Sequence, residues 1–202
     1  MTSLQVAPQL TSQPTPIHRS VDLETLFKQC FYNDYKTLLI GGADEPLYRP
    51  TTSVDKPHCL FYRADYFASA LHEIAHWCIA GVERRQQEDW GYWYCPDGRS
   101  PEQQRAFESV EVKPQAVEWI LSLAAGAPFR ISSDNLLGSC DKAGEGDAFT
   151  NAVAAQVQCY RQGALPSRAH QFFLALSERY GIVEPLADRR YSLDALQGRK
   201  QQ

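Results

Sequence analysis

The chain has 202 residues, 44% of them hydrophobic and 22% charged, with a formal net charge of −4; this is ordinary for one soluble domain with a sizeable core. The acidic balance leaves no electrostatic footprint for nucleic acid. No apolar run approaches the roughly 18 residues of a membrane span, and no basic segment followed by an apolar one marks a signal peptide. Six cysteines, Cys30, Cys59, Cys78, Cys95, Cys140 and Cys159, show no C-x-x-C spacing. They read as reduced, mostly buried thiols, which places the expected protein in the cytoplasm.

Residues 1–17 are rich in Gln, Thr, Ser and Pro without periodicity, and predict a disordered tail. The domain is expected over 18–185, with a polar tail over 186–202. Ser20 or Asp22 is placed to cap a first helix, whose apolar face is Leu23, Leu26, Phe27, Cys30 and Phe31. Thr37 to Ile40 predicts a short strand stopped by Gly41 and Gly42. Residues 43–57, with three prolines, read as a long loop. Cys59 to Tyr62 predicts a second strand leading to Asp65 as cap of the next helix. His58 is a possible further ligand, though a loop histidine beside a proline is usually just exposed.

The next helix carries the stretch HEIAHW. His72 and His76 stand four residues apart, so on a helix both imidazoles share one face, one turn apart, where they can hold one metal ion. Glu73 lies about 100° around the helix, still within reach of a metal-bound water. Tyr66, Phe67, Ala70, Leu71, Ile74, Ala75, Cys78 and Val82 recur at three- and four-residue steps, so the ligand pair sits in a helix that a core must cover.

Past Gly81, residues 82–89 read as a solvated connection that includes Arg84 and Arg85. Trp90 to Cys95 alternates like a strand and is followed by a Pro96-Asp97-Gly98 turn. It holds more aromatics than one inner face needs, so part of it is a candidate pocket wall. Ser100-Pro101-Glu102-Gln103 is a strong helix start. Pro114 is expected to break or restart that helix, because it has no N–H to give and crowds the carbonyl four residues back. Val117, Ile120, Leu121 and Ala124 form a further stripe closed by Gly126. Loop is expected over 127–146, then helices over about 147–162 and 167–180. His170, in the last of these, needs no special role.

Two histidines leave a metal under-coordinated, and a catalytic site commonly adds one protein ligand. Glu111 is the preferred third ligand, because it lies between Val110 and Val112, where a partly buried carboxylate needs a partner. Glu108 is the second choice. Glu118 is the third, since it fits a solvent face beside Val117.

Together, the runs HEIAHWCIAG, EDWGYWYCPDGR and FESVEVKPQAVEW closely resemble the bacterial elongation factor P hydroxylase family, over roughly residues 20 to 180. The resemblance implies an Fe(II)-dependent enzyme that uses molecular oxygen to hydroxylate a lysine of elongation factor P already carrying β-lysine. It also implies a two-His-one-carboxylate centre, mapping onto His72, His76 and a glutamate of the VEVKPQA segment. Such a centre leaves one face open for dioxygen and substrate. The ligand pair sits on a helix and the chain has no H-x-D or H-x-E, so a 2-oxoglutarate requirement does not follow. Glu73 is then either a group orienting a ligand or an acid/base beside the metal. A long cationic substrate side chain needs apolar walls and a carboxylate acceptor, for which Tyr94 and Asp97 are the candidates.

The rival class is a zinc metallopeptidase with Glu73 as general base. A metal-stabilised interaction protein is a third, disfavoured because structural zinc is four-coordinate and closed. The expected architecture is α+β: one helix-rich domain with a small sheet, strands near 37–40, 59–62 and 90–95, beside the metal helix.

Overall fold

The computed structural model describes residues 17–90, 99–132 and 145–187. Among these, five α-helices enclose one small sheet, in the order α1 (Ser20–Tyr35), β1 (Thr37–Ala43), β2 (Leu47–Arg49), β3 (His58–Arg63), α2 (Phe67–Ile79), α3 (Pro101–Ala125), α4 (Glu145–Cys159) and α5 (Ser167–Tyr180). The expected helix-rich α+β domain is therefore what forms. No helix among the described residues is long and apolar enough to cross a membrane.

The α1 helix buries Leu23, Phe27 and Phe31, each four residues from the last. Neither Ser20 nor Asp22 is its cap. Arg19 occupies that position without a side-chain bond, and Asp22 lies inside the first turn, paired with both Arg19 and Arg179. An acid there complements the helix dipole and meets two guanidiniums, which outweighs what one capping bond would give. The pair with Arg179 also ties α1 to α5.

Strand order is β1-β3-β2, with β1 parallel and β2 antiparallel to the central β3. The Gly41–Gly42 pair does not stop β1. The strand continues to Ala43 through a register shift, because glycine is what its close packing requires. A Cβ at Gly41 would fall 2.5 Å from the Tyr62 hydroxyl. The Gly41 N–H and that hydroxyl both donate to one Glu24 carboxylate oxygen, at 3.0 and 2.8 Å. The expected loop over 43–57 contains β2, whose Tyr48 exchanges both backbone hydrogen bonds with Asp89. The strand expected over 90–95 lies outside the described residues beyond Trp90, which is exposed and not in a strand.

Helix α2 follows β3 directly and packs on β3, α1, α3 and α5. Its cap is Tyr66 rather than Asp65, because the chain turns in through Ala64 at φ 51° and leaves Asp65 one residue outside. At its other end the free carbonyls of Trp77 and Ala80 accept from Arg168, and Ala80 also from Arg85. Two cations thus close the negative end of α2. Arg85, expected in solvent, folds back over Trp77 instead, and Arg84 pairs with Asp89.

Helix α3 starts at the expected capping box of Ser100 and Gln103 and ends at Gly126, φ 66°. It is one helix of 25 residues with Pro114 inside it and buried. An interior proline costs about 3 kcal/mol, but α3 packs against α2, α4 and α5. Ala116, Val117, Ile120, Leu121 and Ala124 are buried after Pro114, while before it Glu111 is buried against the histidines of α2 and Val112 packs on the core, so an unbroken helix keeps both halves seated. One core cluster joins α1, α2, α3, α4, α5 and the sheet. Of the four cysteines described, all free, only Cys78 is fully buried, while Cys159 is exposed; expecting mostly buried thiols was too broad.

Candidate metal centre

The centre forms where α2 crosses α3. The apolar stripe of α2 turns Ala70, Leu71, Ile74, Ala75, Trp77 and Cys78 into the core. His72 and His76 are left on the flank that meets α3, with 26% and 22% of their side chains exposed. From α3, Glu111 projects back between them and is buried. The two Nε2 atoms are 3.1 Å apart. Glu111 places one oxygen 3.2 Å from His76 Nε2 and the other 3.7 Å from His72 Nε2. Among the described residues, His72, His76 and Glu111 are the group whose donor atoms converge. Donors about 2.1 Å from one shared ion stand about 3.0–3.4 Å from each other. The 3.1 and 3.2 Å separations lie in that range and the 3.7 Å one a few tenths beyond it, so a small shift of the His72 ring or of the carboxylate brings two imidazoles and a carboxylate onto a single metal.

Glu111 is thus the glutamate facing both histidines. Glu108, the alternative ligand, is taken up by Gln104 at 2.9 Å and is not part of the converging group. His58 accepts a hydrogen bond from the Thr51 N–H at 2.9 Å and is not part of the converging group. His170 is exposed and stacks near Phe173. Tyr94 and Asp97 lie outside the described residues.

Two further side chains meet the centre: Glu118, the third-choice ligand from the sequence, and Gln115, which was not singled out there. Glu118 is not on a solvent face; it is buried and holds His72 Nδ1 at 2.8 Å. Gln115, also buried, donates to Glu111 at 3.4 Å and to the Ser132 carbonyl at 2.7 Å, and accepts from the Ser132 N–H at 3.1 Å. A pattern could have found both: Gln104, Glu108, Glu111, Gln115, Glu118 and Ser122 recur at alternating steps of four and three. That is a polar stripe along one face of α3.

The electrostatics are those of a cation site. Burial alone would lower the His72 pKa, but the hydrogen bond and charge of Glu118, with the charges of Glu73 and Glu111, lift it to about 10. Burial would raise Glu111, yet His76 and His72 hold it down to about 2. Burial pushes Glu73 up, against the pull of the two histidines. The surrounding carboxylates thus favour positive charge at the His72 imidazole. A metal would take that place, since a ligand imidazole must be neutral.

Comparison with known proteins gives two findings. Residues 26–190 match the family described as elongation factor P hydroxylase. The elongation factor P lysine hydroxylase of Haemophilus influenzae is 48% identical over 169 residues, covering 84% of this chain and 93% of that protein.

Proposed function

The chain belongs to the elongation factor P hydroxylase family, and from that premise we propose that it is a non-haem Fe(II) monooxygenase hydroxylating the β-lysylated lysine side chain of elongation factor P. The observation that carries the reading is the His72–His76–Glu111 convergence in a chain so similar to a lysine hydroxylase. In the proposal those three residues hold Fe(II). Bound iron would supply the activation of molecular oxygen needed to hydroxylate a C–H bond. The protein's own part is positioning. Buried Glu111 and the two helices fix the donor set. Glu73, electrostatically coupled to both histidines and both neighbouring glutamates, is placed to hold a proton beside the centre.

The same three donors would also suit zinc, so metal identity separates this reading from a peptidase. Protein purified without oxygen should carry iron, and on exposure to oxygen with a two-electron reductant such as ascorbate should add one oxygen atom to modified elongation factor P, the second oxygen atom leaving as water, read by intact mass. Tight zinc together with peptide cleavage would instead support the peptidase.

Tyr94 and Asp97 keep their proposed roles as channel wall and acceptor for the substrate's ammonium group. Tyr94→Ala and Asp97→Ala should slow oxygen addition several-fold at unchanged iron content. Rates equal to the parent's would remove this segment from the substrate path.

A further inference from the structure

We infer that Glu118 is a positioning residue for the metal, acting through His72 rather than as a ligand. This rests on the metal reading of the preceding section. A carboxylate only accepts, so the 2.8 Å contact from Glu118 Oε2 to His72 Nδ1 puts the hydrogen on Nδ1. In the neutral ring that a metal ligand must be, the lone pair is then on Nε2, the atom that faces His76 and Glu111. The far ring nitrogen thereby decides which nitrogen is offered to the ion and how the ring is turned.

Glu118 cannot substitute for Glu111 in this geometry. It touches the side of the imidazole away from the convergence point, and only Glu111 shares that point with the two Nε2 atoms. No equivalent bond to Nδ1 of His76 occurs among the described residues, so His72 is the histidine whose orientation depends on a second side chain. The charges of Glu111 and Glu118 together also match a divalent cation. Both come from α3, seven residues apart, while both histidines come from α2. The crossing of two helices thus sets ligand, tautomer and charge at once.

The test is metal affinity in the purified full chain, with Fe(II) titrated without oxygen against a chelating dye, and the visible spectrum of the Co(II)-substituted protein. Glu118→Ala should bind Fe(II) about 10- to 100-fold more weakly, and its Co(II) spectrum at saturation should shift as the His72 ring turns. Glu118→Gln should recover part of the affinity, because its carbonyl still accepts from Nδ1–H. Unchanged affinity and spectrum in Glu118→Ala would overturn the inference and leave Glu118 a buried polar filler. If Glu118→Ala does not fold, unchanged affinity in Glu118→Gln overturns the inference, whereas weakened affinity with a folded chain upholds it. A parent protein that binds no Fe(II) would overturn the iron reading and this inference with it, whereas a parent that binds Fe(II) with unchanged affinity in the Glu118 variants would overturn this inference alone.

Discussion

His76→Ala is expected to remove iron binding, and with it all hydroxylation, while leaving the protein folded. In the proposed centre the imidazole is one of three donors, and its Nε2 lies 3.1 and 3.2 Å from the nearest polar atoms of the other two residues. Two remaining donors do not hold Fe(II) against water in an open site. The ring is not part of the core cluster, and alanine is the better helix former, so no core cavity opens. His72→Ala should behave in the same way and Glu111→Ala nearly so. Glu108→Ala should retain iron, because Glu108 is engaged by Gln104. Iron per chain after anaerobic loading, alongside circular dichroism, measures this. Normal iron in Glu111→Ala with loss in Glu108→Ala would show that the third ligand is misassigned.

The second large effect is on stability. Trp77, the residue after His76, is 2% exposed. Its ring lies 4.9 Å from Phe27 and Phe31 and 5.3 Å from Tyr35, with the Arg168 guanidinium 4.9 Å away. Removing a buried aromatic of this size costs about 3–5 kcal/mol, a large part of the roughly 5–15 kcal/mol that holds a domain together. Trp77→Ala should lower the urea midpoint accordingly, and Trp77→Phe should lose much less. A Trp77→Ala midpoint close to the parent's would mean that the aromatic cluster does not anchor the ligand helix.

The metal helix was legible because two independent patterns agree there. The apolar steps from Phe67 to Cys78 demand a helix, and the histidine spacing makes sense only on one. The ends of α5 were legible for a similar reason, since Gly181 in the left-handed region stops a clean stripe. What was not legible depended on tertiary contact. Pro114 looks like a break until Glu111 before it and the buried stripe after it are both seen to be held against neighbouring helices. Gly41 looks like a stop until Tyr62 is found where its side chain would be. Glu118 looks like a surface acid, because nothing local says that His72 waits opposite it across the α2–α3 crossing. Arg85 reads as solvated until the carbonyls at the end of α2 are seen to need a donor.

The most direct measurement of the central claim is the fate of isotopically heavy dioxygen. The iron-loaded protein is given β-lysylated elongation factor P and a two-electron reductant such as ascorbate under the labelled gas, so that the second oxygen atom leaves as water, and the intact mass of the product is read. The account predicts that each modified molecule gains one heavy oxygen atom, that none is gained with His76→Ala, and that labelled water under ordinary dioxygen gives no label. A product carrying oxygen from water, or a cleaved chain with no oxygen from the gas, would contradict it.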